Sequence, residues 1–146
     1  MNNVLSRKPP GSFWAISILA LLWNGIGCFQ YFALTTATDE QLATMFSAAE
    51  RTIFQSTPAW VTGAFAIAVF GGLIGALALL ARKAWARILF ILSLIAVVVQ
   101  HSWTFVFSGY LDIMPATAAI GPVLVVIVGI FEIWYAGNAV KRGWLR

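Results

Sequence analysis

Residues 13–34, 59–81, 84–107 and 116–140 form four apolar stretches, each near or above the ~20 residues that a helix needs to cross a bilayer. Within lipid every backbone N–H and C=O must find its partner inside the protein, which leaves helices and closed barrels as the only spanning structures. The alternation of a barrel strand is not visible in any of the four. The pattern therefore predicts an all-α membrane protein, a four-transmembrane-helix bundle read as one domain over residues 1–146. Composition agrees, since 10% of the residues are charged against roughly 25% in soluble domains.

Charge placement sets the expected orientation. Arg7 and Lys8 precede the first stretch, Arg82, Lys83 and Arg87 fall between the second and third, and Lys141, Arg142 and Arg146 close the fourth. The other two connections hold Arg51 with Asp39, Glu40, Glu50 and Asp112. This bias predicts that both the N and C termini are cytoplasmic and that the protein is multi-pass. The formal charge of +4 is thus topological. It forms no basic patch of the kind that binds nucleic acid, so no nucleic-acid partner is expected.

One acid, Glu132, lies inside an apolar stretch. A charge at mid-bilayer depth costs about 2.5–3.5 kcal/mol on insertion scales. Gly121, Val125, Gly129, Glu132 and Ala136 recur at intervals of four, four, three and four, so on a helix they share one mostly small-residue stripe. Glu132 is expected to turn along that stripe toward the protein interior, as part of a functional site, or else protonated or paired with a basic residue such as Arg82 or Arg87. Phe131, Ile133 and Trp134 lie off the stripe and suit lipid or bulkier packing.

The remaining polar residues of the stretches are few. In the first, Asn24 shares a stripe with Ser17, Ala20 and Cys28, and Gln30 follows two turns on. In the third, Ser93, Ala96, Gln100 and Thr104 share a stripe next to His101. Each has two readings, interhelical hydrogen bonding or contact with a solute. At 1.5 Å per residue, centring each stretch in the bilayer places Asn24 near the midplane and Gln30, Gln100 and His101 in the outer half. The same count sets Glu132 roughly 7 Å toward the cytoplasm.

The second stretch has no ionisable residue and two small faces, Gly71-x-x-x-Gly75 and Ala64, Ala68, Gly72, Ala76, which suits a helix packed closely on both sides. The short turn after it makes the second and third helices antiparallel neighbours. The first outer connection, residues 36–57, carries two capping boxes, Thr38-x-x-Gln41 and Ser47-x-x-Glu50, and predicts two short amphipathic helices broken at Ser47 in a first periplasmic loop. Leu42, Met45, Phe46, Ile53 and Phe54 would lie on the membrane surface or over the bundle mouth. Pro58-Ala59 with Arg82-Lys83-Ala84-Trp85, and Pro115-Ala116 with Lys141-Arg142-Gly143-Trp144, suggest a weak parallel repeat.

Cys28 is the single cysteine, so no intrachain disulfide forms, and one thiol with one histidine offers no metal-ligand spacing. No metal and no cofactor are expected. The first stretch outruns a signal-peptide core and lacks a small-x-small cleavage site, so it is expected to be retained.

The segments KPPGSFWAISILALLWNGIGCFQY and PAWVTGAFAIAVFGGLIGALALLARKAW, with the AERTIFQSTPAW ending between them, resemble a family of small four-helix inner-membrane proteins of Gram-negative bacteria. The resemblance covers most of the first two-thirds and is distinctive at Trp23-Asn24-Gly25 and Pro58-Ala59-Trp60. Members commonly carry a sugar-transporter label and are otherwise uncharacterised, so the resemblance implies a location in the bacterial inner membrane and a transport role.

Two functions fit the residues. In the first, a small-solute transporter uses Asn24, Gln30, Gln100, His101 and Glu132 as substrate-binding contacts and Trp23, Tyr31 and Trp103 as stacking faces. Sugars suit those groups chemically. Four helices are few for a complete pathway, so this reading requires a homo-oligomer, parallel because of the charge bias. In the second, the chain is a structural or assembly subunit of a larger membrane complex. Catalysis is not expected: one histidine and one acid at different depths supply no clustered nucleophile and base.

Overall fold

The computed structural model describes residues 7–146; the first six residues of the predicted 1–146 unit lie outside the described residues. Every regular element among the described residues is helical. Four helical spans are long and apolar enough to cross a membrane: Gly11–Thr35, Ala59–Leu80, Ala86–Phe107 and Ala116–Lys141. We label the helices α1 (Gly11–Thr35), α2 (Asp39–Met45), α3 (Ala48–Gln55), α4 (Ala59–Leu80), α5 (Ala86–Ser102), α6 (Tyr110–Ile113) and α7 (Ile120–Lys141). The predicted spans differ from these by a residue or two, with two exceptions of substance.

The third span does not stay α-helical to residue 107. Its last turn, Trp103–Phe107, is a π-helix closed by Ser108 N–H on Trp103 O. Hydroxyls account for the widening. Ser102, Thr104 and Ser108 each donate to the carbonyl four residues back and compete there with the backbone ladder. The fourth span opens on a 3₁₀ turn, Ala116–Ala119, before α7 begins.

Packing follows the small residues. α4 sits between α1 and α5, and α5 in turn packs on α7. Gly71 and Gly75 bring α4 against Ser93, Leu89 and Phe90 of α5, while Ala64, Ala68, Gly72 and Ala76 are all buried. Both small faces predicted for the second stretch are therefore used. Large residues go outward: Leu19, Leu22, Phe29, Ile67, Ile88, Ile127 and Trp134 are all exposed on the bundle surface. Small inside and large outside is the arrangement expected where lipid, not water, surrounds the bundle.

The N-terminal end of α1, the α4–α5 turn and the C-terminal tail lie together at one end. Phe13, fully buried, stacks on Tyr135 and meets Trp144 edge-on. Arg146 N–H donates to Arg82 O, Ala84 N–H to Arg146 O, Arg82 Nε to Trp144 O and Arg7 N–H to Gly143 O. α4 and α7 stop here by the same device. The residue after the cap is left-handed (Arg82 φ 58°, Gly143 φ 72°), and Lys83 and Trp144 N–H reach back to Ala78 and Ala139 O. The match pairs Arg82 with Gly143, whereas the sequence repeat pairs Arg82 with Lys141.

At the other end the two capping boxes form as predicted, and α2 and α3 break at Ser47. Leu42 is buried, and Phe46, Ile53 and Phe54 line a hollow of about 450 Å³ with Val61, Phe65, Gln100 and Trp103. Met45 alone of that set points outward, 54% exposed.

Candidate functional site

Glu132 is 7% exposed, and among the described residues its carboxyl is held by one group: Asn24 Nδ2 donates to Glu132 Oε1 at 2.7 Å. Asn24 is itself oriented from within α1, where the same Nδ2 donates to Ala20 O at 2.9 Å. Three elements make this pair possible. α7 turns its small stripe inward, with Ala136 fully buried and Val125 packed against Ala68, Ala96 and Val97. α1 presents Asn24 on the stripe that also buries Ser17, Ala20 and Cys28. α4 supplies the clearance, because a Cβ at Gly72 would come within 1.9 Å of Asn24 Oδ1.

The count along each helix set these two residues at different depths. Asn24 and Glu132 nonetheless meet directly, so α1 and α7 are staggered relative to that count. Centring each apolar stretch separately in the bilayer ignores that stagger. The expected arginine partners go elsewhere: Arg82 Nε donates to Trp144 O, and the Arg87 guanidinium lies along Gly137.

Asn24 and Glu132 border a cavity of about 400 Å³ enclosed by α1, α4, α5 and α7. All five residues singled out from the sequence, Asn24, Gln30, Gln100, His101 and Glu132, line it, together with Trp23, Phe65, Ser93 and Leu94. His101 Nδ1 lies 2.8 Å from Val97 O, and its ring stacks on Phe105. A carbonyl oxygen only accepts, so Nδ1 carries the hydrogen of this contact. Ser93 is occupied, donating to Ala68 O at 2.6 Å. Toward the α1–α7 seam the lining residues Ile26, Gln30, Gly121 and Leu124 are exposed, and a Cβ at Gly121 would meet nothing within 4 Å. The small stripe of α7 therefore opens at its outer end instead of packing there.

Of the three aromatic residues expected as stacking faces, only Trp23 borders this cavity. Tyr31 packs edge-on against Phe65 and Phe70, and Trp103 lines the outer hollow. Phe65 and Gln100 border both spaces, which makes them the partition between the outer hollow and the inner cavity. The outer hollow has its own electrostatics. Hydrogen bonds from the Ser47 side chain and backbone hold the Glu50 carboxyl below its ordinary range, and burial, then the Glu50 carboxylate, pushes the Tyr110 hydroxyl up.

Sequence reasoning missed Gly72 and Phe65. Gly72 was visible as one of a small-residue row, but nothing in that row singles out the glycine facing Asn24. Fold and site together define a four-helix membrane protein with a largely apolar cavity bordered by an amide–carboxyl pair. No family model, curated protein sequence or solved structure matches the chain.

Proposed function

We propose that the protein is a small-solute transporter of the bacterial inner membrane, working as a parallel oligomer with both termini cytoplasmic. The observation that carries this reading is the convergence of five polar side chains from three helices on one cavity of about 400 Å³. That volume falls within the roughly 300–1,000 Å³ of small-molecule sites. An ionisable group inside a membrane span is costly and is a candidate for function, with its partner to be named. The resemblance to the small four-helix inner-membrane family points the same way.

The two spaces suit a path with an outer entrance. The outer hollow meets the inner cavity at Phe65 and Gln100, and beyond Asn24 and Glu132 the bundle is filled by Phe13, Tyr135 and Trp144. Transport then requires that packed end to open. A second copy set against the α1–α7 seam would wall the cavity where Ile26, Gln30 and Leu124 are exposed, and eight basic residues at one end of the bundle favour insertion of both copies in one orientation.

The test is uptake by purified protein in proteoliposomes, scanning sugars and cationic solutes, with Glu132→Gln beside the wild type. Saturable uptake that the substitution changes is the expected result. No uptake by either protein, with stable co-purification of a larger complex, would replace this reading with that of a structural subunit.

A further inference from the structure

We propose that the cavity takes an organic cation, an ammonium carried on an apolar body, with Glu132 as its counter-charge and Trp23 as a ring face. This deepens the transport reading and rests on it only for movement, not for binding.

The hydrogen-bonding inventory of the cavity decides between solute classes. Oε1 of Glu132 accepts the Asn24 bond, which leaves Oε2 as the open acceptor of a carboxyl that is 7% exposed and borders the cavity. Asn24 has little left to offer as a donor, because its amide nitrogen already serves Ala20 O and Glu132. Ser93 donates to Ala68 O, and His101 spends its Nδ1–H on Val97 O. The inner part of the cavity thus offers acceptors and scarcely any free donor.

A sugar needs both. Each of its hydroxyls donates and accepts, and a hydroxyl buried without a partner is destabilising. Only Gln30 and Gln100, nearer the outer side, could serve it, and the rest of the wall is Ile26, Phe65, Val69, Leu94, Val97 and Leu124. An ammonium needs only acceptors and a negative charge, and its apolar body suits that wall. No lysine or arginine lines the cavity among the described residues. The position beside Glu132 that a structural ion pair would fill is therefore left to a ligand. Trp23 adds the attraction of a cation for an indole face.

The probe is benzyltrimethylammonium, whose charge is independent of pH, with benzyl alcohol and glucose as neutral comparators. Binding to the full chain in uncharged detergent micelles is measured by calorimetry. Saturable binding of the cation is expected, weakened at least about tenfold by Glu132→Gln, with neither comparator binding at the same concentrations. Glutamine keeps a carbonyl for Asn24 but turns an N–H donor toward the cavity, so the variant removes the charge and retains the helix contact. Should it fail to assemble, Trp23→Leu is the second variant, with an expected loss of about fivefold.

Equal binding of the cation to wild type and both variants, or saturable binding of glucose in place of the cation, would overturn the assignment. Glucose bound and also taken up by proteoliposomes would do so while sustaining transport. The cation bound but never taken up would sustain the assignment and refute transport.

Discussion

Gly72→Ala tests the construction of the site without touching either polar partner. The new Cβ would lie 1.9 Å from Asn24 Oδ1 and 2.9 Å from Asn24 Cγ, distances at which the amide must move. α4 is held by Ala64, Ala68 and Ala76 around that position, all buried, so the helix cannot retreat instead. Displacing Asn24 breaks its bond to Glu132. The lost interhelical hydrogen bond is worth about 0.6–1.7 kcal/mol, and leaving a buried carboxyl without its donor costs about 1–3 kcal/mol more. The better helix propensity of alanine returns up to about 1 kcal/mol. The net expectation is destabilisation by about 2 kcal/mol.

Unfolding in mixed micelles, followed by tryptophan fluorescence and far-ultraviolet circular dichroism, measures this. Gly121→Ala is the control, because its Cβ would meet nothing within 4 Å, and it should lie within about 0.5 kcal/mol of wild type. The decisive arm is the pair of variants in the Asn24→Ala background. With the amide gone the clash goes too, so adding Gly72→Ala there should cost nothing and return up to about 1 kcal/mol of helix propensity. Gly72→Ala as stable as wild type, or equally costly with and without Asn24, would refute the claim that Gly72 exists to seat that amide.

Three further outcomes are expected. Glu132→Gln should stay within about 1 kcal/mol of wild type, because its carbonyl still accepts from Asn24, whereas Glu132→Leu strands that donor and should cost about 1–3 kcal/mol in the same unfolding assay. The Glu50 carboxyl is held below its ordinary 4.5 by Ser47, so its support of α3 is fully present above about pH 4.5 and fades as pH falls through the depressed folded value. Hydrogen exchange over α3 between pH 3 and 6, the range about the ordinary carboxylate value, should show this, and Ser47→Ala, which keeps the backbone N–H, should reduce the dependence. Gly143→Ala places a side chain at φ 72°, a left-handed backbone costing roughly 1–2 kcal/mol, and should speed exchange of the Ala84 and Arg146 amides that tie the C-terminal tail to the α4–α5 turn.

Much of this molecule was legible in its sequence because lipid narrows the choices. Four apolar runs had to become helices, and small residues at intervals of three and four had to become contact faces; Gly71, Gly75 and Ala136 behave accordingly. Capping boxes are local, needing only Thr38 with Gln41 and Ser47 with Glu50, so both ends of that inference were contained in a few residues. The inward turn of Glu132 was legible for the same reason: its stripe is a property of one helix.

What the sequence withheld is relative position between helices. Whether Asn24 meets Glu132 depends on how far α1 slides along its neighbours, and that slide rests on contacts between residues more than a hundred apart in the chain. No hydropathy profile contains it. The π-turn at Trp103–Phe107 was hidden differently, in hydroxyl-to-carbonyl bonds that alter a helix without altering its apolar character. The same limit explains why the cavity's chemistry emerged only from coordinates. Two glutamines, an asparagine, a histidine and a glutamate suggest a sugar site when they are simply counted. Once Asn24 is spent on Ala20 and Glu132, and Ser93 on Ala68, the donors that remain are Gln30 and Gln100 nearer the rim, and the open Glu132 oxygen beyond them suits a cation better than a sugar.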